Sequence, residues 1–325
     1  MQYEVKMAKI VNVYFNGTCD SSDVPEEGKI SLATLLAHIT ETDANNYSFC
    51  VNGCGESRDV RDLGVLFGFH LEKQVVQIVK EIEDIIAECE DDIVLNVYGF
   101  SRGGIAAFLL CQELKNIPKA RLTINIASFE PVPVNFIASV NRDLFFGTKT
   151  TLAARVADLT RCDNIGNMLV LFTNQPLPDI WGFAPILPTL PTTCTLEVDV
   201  TPGRHDSAVS FYKDGQSVQE QNIESAIVFH RIVEFMQKCG TTFNFELVQL
   251  SDNLVSSDSE QLLDLYAELA RNTEGNQARS MHLKNSIFTT ANKEYLNIYH
   301  KKLGQKLLQV QGVSDEDCIL SMQHH

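Results

Sequence analysis

The chain of 325 residues is short of positive charge, with 26 lysines and arginines against 42 aspartates and glutamates, a formal net charge of -16. So acidic a surface argues against a protein that tracks a phosphate backbone, and nucleic acid is not an expected partner. Aromatic residues make up 8% and there is one tryptophan, yet hydrophobic residues reach 44%, enough to bury a large core. No stretch of roughly eighteen apolar residues occurs, which leaves no candidate membrane-spanning helix. The start, "MQYEVKMAKIVNVYF", lacks the basic beginning and apolar run of a Sec-type signal. Nine cysteines are scattered without a CxxC pair, which fits reduced thiols in a cytosol-like compartment better than a disulfide framework. Cys50 and Cys54 come nearest to metal spacing, but no second pair or histidine accompanies them, so neither metal nor cofactor is expected. "CIL" at Cys318–Leu320 is not terminal and is no prenylation box. There is no internal repeat.

What is present is an alternation. Strand-like runs at Lys9–Phe15, Tyr47–Val51, Ile93–Tyr98, Arg121–Phe129, Met168–Phe172 and Thr195–Val200 are separated by helical patterns. Several of the runs are apolar throughout, as a parallel sheet covered on both faces requires. Val75, Val76, Val79, Ile82, Ile85 and Ile86 recur at helical spacing among acidic residues, which predicts a crossover helix packed by one face. After about Glu224 the pattern turns helical, over Ser225–Lys238, Ser259–Arg271 and Lys293–Gln309. The expectation is an α/β core over residues 1–240 and a helical extension over 241–325.

Gly99-Phe100-Ser101-Arg102-Gly103 fits G-x-S-x-G between a strand and a helical run, the context of a nucleophile elbow. Glycines on either side permit the sharp reversal, and the elbow would lift Ser101 to the start of a helix, where the N–H of Arg102 can stabilise an oxyanion. The plainer alternative is a glycine-flanked turn with a serine N-cap. A serine needs a base. His205, in "LEVDVTPGRHDSAVSFY", alone follows a late strand; His38 and His70 precede the serine, His230 sits in a helical pattern, and His324 and His325 end the chain. For the acid, Glu130 ends the strand after the elbow and is preferred, with Asp179 second; Asp206 adjoins the histidine and is poorly placed to orient it. Asn16-Gly17-Thr18 after the first strand offers a second oxyanion donor at Gly17 or Thr18, or is an ordinary N-G turn. The segment Thr173–Pro191, with the tryptophan and five prolines, reads equally as an acyl-contacting lid or as packing over the sheet edge.

"GFSRGG" resembles the GFSRG[AG] elbow of a bacterial and fungal α/β-hydrolase family that includes phospholipase effectors of type VI secretion systems. "YFNGT", "NGCGES", "LGVLFGFHLEKQVVQIVKEI", "SFEPVPV" and "PGRHDSAV" resemble further motifs of that family in the same order, over roughly residues 9 to 212. The resemblance implies an α/β-hydrolase-like fold, a mostly parallel sheet with helices on both faces. It also implies Ser101 as nucleophile, Glu130 as acid and His205 as base, acting on a lipid ester such as a phospholipid acyl chain. Peripheral membrane contact and export without a Sec signal follow from the same likeness. Asn16 stands where the family has aspartate, Glu130 is one methylene longer than the family's aspartate, and paired glycines after His205 are missing. These departures keep open a degraded hydrolase serving as a binding module, with the C-terminal helices as its partner surface. An acyltransferase or thioesterase would use the same three residues. The Arg102 guanidinium suits a phosphate headgroup, although a structural ion pair beside the elbow is the plainer expectation.

Overall fold

A computed structural model describes residues 8–55, 71–132, 152–173, 185–201, 203–206 and 209–255. Six strands build the central sheet: β1 (Lys9–Phe15), β3 (Asn46–Val51), β4 (Ile93–Phe100), β5 (Leu122–Phe129), β6 (Ile165–Thr173) and β7 (Thr195–Thr201). Their order is β3-β1-β4-β5-β6-β7 and every pairing is parallel. Successive side chains of a strand point to opposite faces, so an apolar run feeds two cores at once. Val11, Val13 and Phe15 of β1 join one hydrophobic cluster, while Tyr14 joins the other.

On the first face lie α2 (Leu71–Glu88), α3 (Arg102–Leu114) and the short α4 (Leu152–Ala157), whose Val156 joins the same cluster. The buried positions of α2, Leu71, Val75, Ile78, Ile82 and Ile85, are three and four apart, the stripe expected of a helix covered on one side. Val76 is left 61% exposed, since it falls between the turns of that stripe. On the second face lie α1 (Leu32–Ile39) and α5 (Ile223–Lys238), the latter capped by Asn222, whose side chain accepts from the Ser225 N–H. Helices on both faces of this parallel sheet, with an elbow between β4 and α3, make an α/β-hydrolase fold.

A second sheet was not foreseen. It runs β10-β9-β8-β2, from β2 (Glu27–Ser31), β8 (Ser210–Asp214), β9 (Ser217–Glu220) and β10 (Gln249–Leu250), and Ile30, Phe211, Val218 and Leu250 pack into the core of α1 and α5. The strands have two to five residues and few apolar positions, too little for a periodicity argument. One signal existed: Gly215-Gln216, with Gly215 at φ 57°, makes the two-residue turn between the paired Asp214 of β8 and Ser217 of β9. Beyond residue 240 the chain stays on this core, through Phe243, Val248, Leu250 and Leu254. The predicted helices Ser259–Arg271 and Lys293–Gln309 lie outside the described residues.

A ladder of asparagines crosses the main sheet. Asn12, Asn96, Asn125 and Asn167 are register partners on β1, β4, β5 and β6. Asn167 donates to Asn125 (2.8 Å), Asn125 to Asn96 (2.9 Å) and Asn96 to the Thr241 hydroxyl (3.0 Å), which donates to Asn12 (2.6 Å). Buried amides are tolerable only when satisfied, and these partners exist in one register, so the ladder penalises any slip of the strands.

Candidate active site

In a parallel sheet the loops at the carboxyl ends of the strands gather on one side, and the singled-out residues stand there. Asn16–Thr18 follows β1, Ser101 follows β4, Glu130 follows β5 and His205 follows β7.

Ser101 has φ 55° and ψ -117°, a conformation disfavoured for any residue with a β-carbon. The surroundings hold it there. Its N–H donates to the Phe129 carbonyl (3.0 Å), and its carbonyl accepts from Gly104 (3.0 Å) and Val132 (3.2 Å). The glycines are required by contact. A Cβ on Gly99 would lie 2.3 Å from the Gly103 carbonyl oxygen, and one on Gly103 would lie 2.3 Å from the Phe15 oxygen. At Gly104 it would meet the Ser128 hydroxyl at 2.5 Å and Pro131 at 2.9 Å. The GFSRGG run therefore encodes three close approaches of the elbow to β1, α3 and the β5 loop.

Ser101 occupies the N-cap position of α3, but its side chain makes no capping hydrogen bond. Its hydroxyl instead lies 2.9 Å from His205 Nε2. On the other side of the ring Nδ1 is 3.1 Å from Glu130 Oε2. Glu130 is 0% exposed, and its other oxygen accepts the Thr173 N–H at 2.8 Å. Glu130 has φ 50°, so the main chain turns sharply at the strand end. With Nδ1–H directed to the carboxylate, Nε2 is left to accept the serine proton, the tautomer a nucleophilic serine needs. The Phe100 ring lies beside the imidazole, with centroids 4.9 Å apart and the planes tilted by 39°.

The Asn16–Thr18 loop lies against this elbow. A Cβ on Gly17 would come within 2.3 Å of the Phe100 ring, so only glycine lets the loop rest on it. Among the described residues, nothing accepts from the main-chain N–H groups of Gly17, Thr18 or Arg102. A loop with such unpaired main-chain donors beside a serine can stabilise a negatively charged oxygen. The Asn16 side chain turns away, to Ser31, Thr34 and Cys50, and ties the end of β1 to the start of α1. Its amide is structural.

Asp20 was missed by sequence reasoning, since "CDSS" carries no motif. Its carboxylate lies 3.6 Å from the Lys29 ammonium, and burial pushes its pKa up while Lys29 and His205 pull it down. Tyr98, fully buried, has a hydroxyl with no partner among the described residues. Of the other candidates, His230 on α5 donates from Nε2 to the Asn253 carbonyl (2.8 Å), away from the elbow. Asp206 is exposed. Asp179 and the tryptophan of the proline-rich segment lie outside the described residues; Ile186 and Leu187 of that segment are buried in the first core. The expected ion pair of Arg102 is absent among the described residues: its guanidinium donates to Thr18 Oγ1 instead. The described cysteines carry free thiols, and no cluster of three or more described His, Cys, Asp or Glu could hold a metal ion. Nor is any described helix long and apolar enough to cross a membrane.

No family model and no curated protein matches the chain. Solved structures do. An uncharacterized protein from Pseudomonas aeruginosa aligns with a TM-score of 0.50 at 12% identity, over 93% of this chain and 53% of its own. This chain thus spans about half the length of that structure. The peroxisomal alpha-beta-hydrolase Lpx1 from Saccharomyces cerevisiae aligns with a TM-score of 0.37 at 15% identity, over 82% of this chain and 85% of its own. Est1E from Butyrivibrio proteoclasticus does so at 0.35 and 11%, over 73% and 90%. At such identities the likeness concerns the fold alone.

Proposed function

We propose that the protein is a serine hydrolase of carboxylic esters, acting through an acyl-enzyme on Ser101. The observation that carries this is the His205 ring held between the Ser101 hydroxyl at 2.9 Å and the Glu130 carboxylate at 3.1 Å. His205 takes the hydroxyl proton as the serine oxygen attacks the ester carbonyl. The resulting oxyanion is met by the N–H of Arg102 and by those of Gly17 and Thr18. Collapse expels the alcohol, which receives the proton from His205, and water then repeats the sequence to release the acid. Glu130 keeps the imidazole in its working tautomer and stabilises its charged form.

The substrate class is a lipid ester, with a phospholipid acyl chain as the first choice. Support for this comes from the resemblance of GFSRGG and the ordered motifs around it. Labelling by a fluorophosphonate probe tests the chemistry, since it requires an activated serine. It is expected in the native protein and lost in Ser101→Ala and His205→Ala. Turnover of dioleoyl phosphatidylcholine above that of palmitoyl-CoA supports the lipid-ester assignment, and the reverse order favours a thioesterase. Absence of both labelling and turnover refutes the hydrolase and leaves the binding module.

A further inference from the structure

Arg102 is 8% exposed, one residue beyond the nucleophile, in a protein whose surface is strongly acidic. Other described arginines with a place in the fold have oxygen partners. Arg121 donates to the carbonyls of Ile86, Cys89 and Asp91; Arg155 pairs with Glu72 and Glu113, and Arg231 with Asp199 and Glu234. Arg102 has the Thr18 hydroxyl for Nη1 and no carboxylate partner among the described residues; its buried Nε, like that of Arg231, has no partner among them. Among the described residues, the other groups close to it are the thiols of Cys54, which hydrogen-bonds to the guanidinium, and Cys19. Burial pushes the Cys54 thiol up, so it stays neutral and offers no counter-charge. A guanidinium withdrawn from water without an anion is unfavourable, and a bound anion removes the penalty. Thr18, which the guanidinium touches, belongs to the loop that presents free N–H groups at the elbow.

We propose that the Arg102 guanidinium is a recognition subsite for an oxygen anion on the substrate, a carboxylate or a phosphate, so that the favoured substrates are anionic esters. This rests on the hydrolase reading and narrows it. The planar fork binds such a group through two parallel N–H donors, which a lysine cannot reproduce.

The test compares kcat/KM within two matched pairs of esters. One is p-nitrophenyl butyrate against mono-p-nitrophenyl succinate, which differ by a carboxylate. The other is 1-butyrylglycerol against 1-butyrylglycerol 3-phosphate, which differ by a phosphate. The native protein should favour the anionic member of at least one pair by about tenfold or more, chiefly through KM. The pair that responds identifies the anion. In Arg102→Ala that ratio should fall to about one, and Arg102→Lys should keep a minor part of it. Should Arg102→Ala fail to fold, the lysine variant alone must still reduce the ratio. Equal use of both members of both pairs by the native protein overturns the subsite. So does a ratio that survives Arg102→Ala while both members slow together, since the side chain then only positions the Thr18 loop. Labelled Ser101 with no anion preference sinks the subsite alone. Absence of labelling and of turnover on all four esters sinks the hydrolase reading with it.

Discussion

Glu130→Gln isolates what the buried carboxylate contributes. Glutamine has nearly the same shape, and its amide oxygen can go on accepting the Thr173 N–H that Oε1 accepts at 2.8 Å. The fold should therefore survive, with Tm within a few degrees of the native protein. What changes is the charge beside His205 Nδ1, 3.1 Å from Oε2. With the charge centres about 4 Å apart and an effective dielectric near 20, the imidazolium formed during attack loses about 4 kcal/mol of stabilisation. That corresponds to roughly three orders of magnitude in kcat, and the amide NH2 facing Nδ1 also favours the wrong tautomer, extending the loss toward ~10⁴. Glu130→Asp keeps the charge but withdraws it by one methylene, and should fall between the two. The assay is turnover of p-nitrophenyl butyrate, alongside the rate of fluorophosphonate labelling and thermal unfolding. A Glu130→Gln protein that folds and stays within tenfold of native kcat would refute the role of Glu130 and return attention to Asp179.

Four further outcomes follow from the geometry. Ser101→Gly should abolish labelling yet raise Tm by a few degrees, because glycine accepts φ 55° without the ~1 kcal/mol or more of strain a β-carbon brings; a lower Tm would contradict this. Gly103→Ala drives a methyl group to 2.3 Å from the Phe15 carbonyl oxygen, against main chain that cannot rotate away, and should destabilise by about 3 kcal/mol in urea unfolding. Asn125→Leu leaves an Asn96 oxygen and an Asn167 amide unpaired and should cost about 2–4 kcal/mol with an unchanged denaturant m-value, whereas a neutral outcome would mean water replaces the ladder. Burial raises the Asp20 pKa above 3.8, so the folded chain holds the extra proton and stability falls as pH climbs from the unfolded value through the raised folded one. Melting temperatures of the native protein relative to Asp20→Asn should therefore decline across that window, and a flat difference would show that Asp20 titrates normally.

The central strands, the α2 crossover and the elbow were legible because each is a local pattern. A continuous apolar run signals a strand covered twice, a stripe of Val and Ile three and four apart signals a helix covered once, and paired glycines around a serine signal a reversal. Strand ends also indicated where partners should stand, which is why Glu130 and His205 could be nominated. The small sheet escaped notice because β2, β8, β9 and β10 owe their existence to packing on α1 and α5, with little pattern of their own. Asp20 escaped because its environment is made by burial and by Lys29, nine positions on in the chain but adjacent in space.

By itself, then, the chain's order of apolar, polar and glycine residues determined the alternation of strands and helices and the place of Ser101 at a strand-to-helix turn, since both follow from main-chain geometry over a few residues. Only the tertiary structure decided which side chains meet. His205 reaches a serine 104 positions away and a glutamate 75 away because a parallel sheet brings their loops to one edge. The same convergence placed the Arg102 guanidinium against a hydroxyl in place of a carboxylate, and no spacing rule in one dimension encodes that.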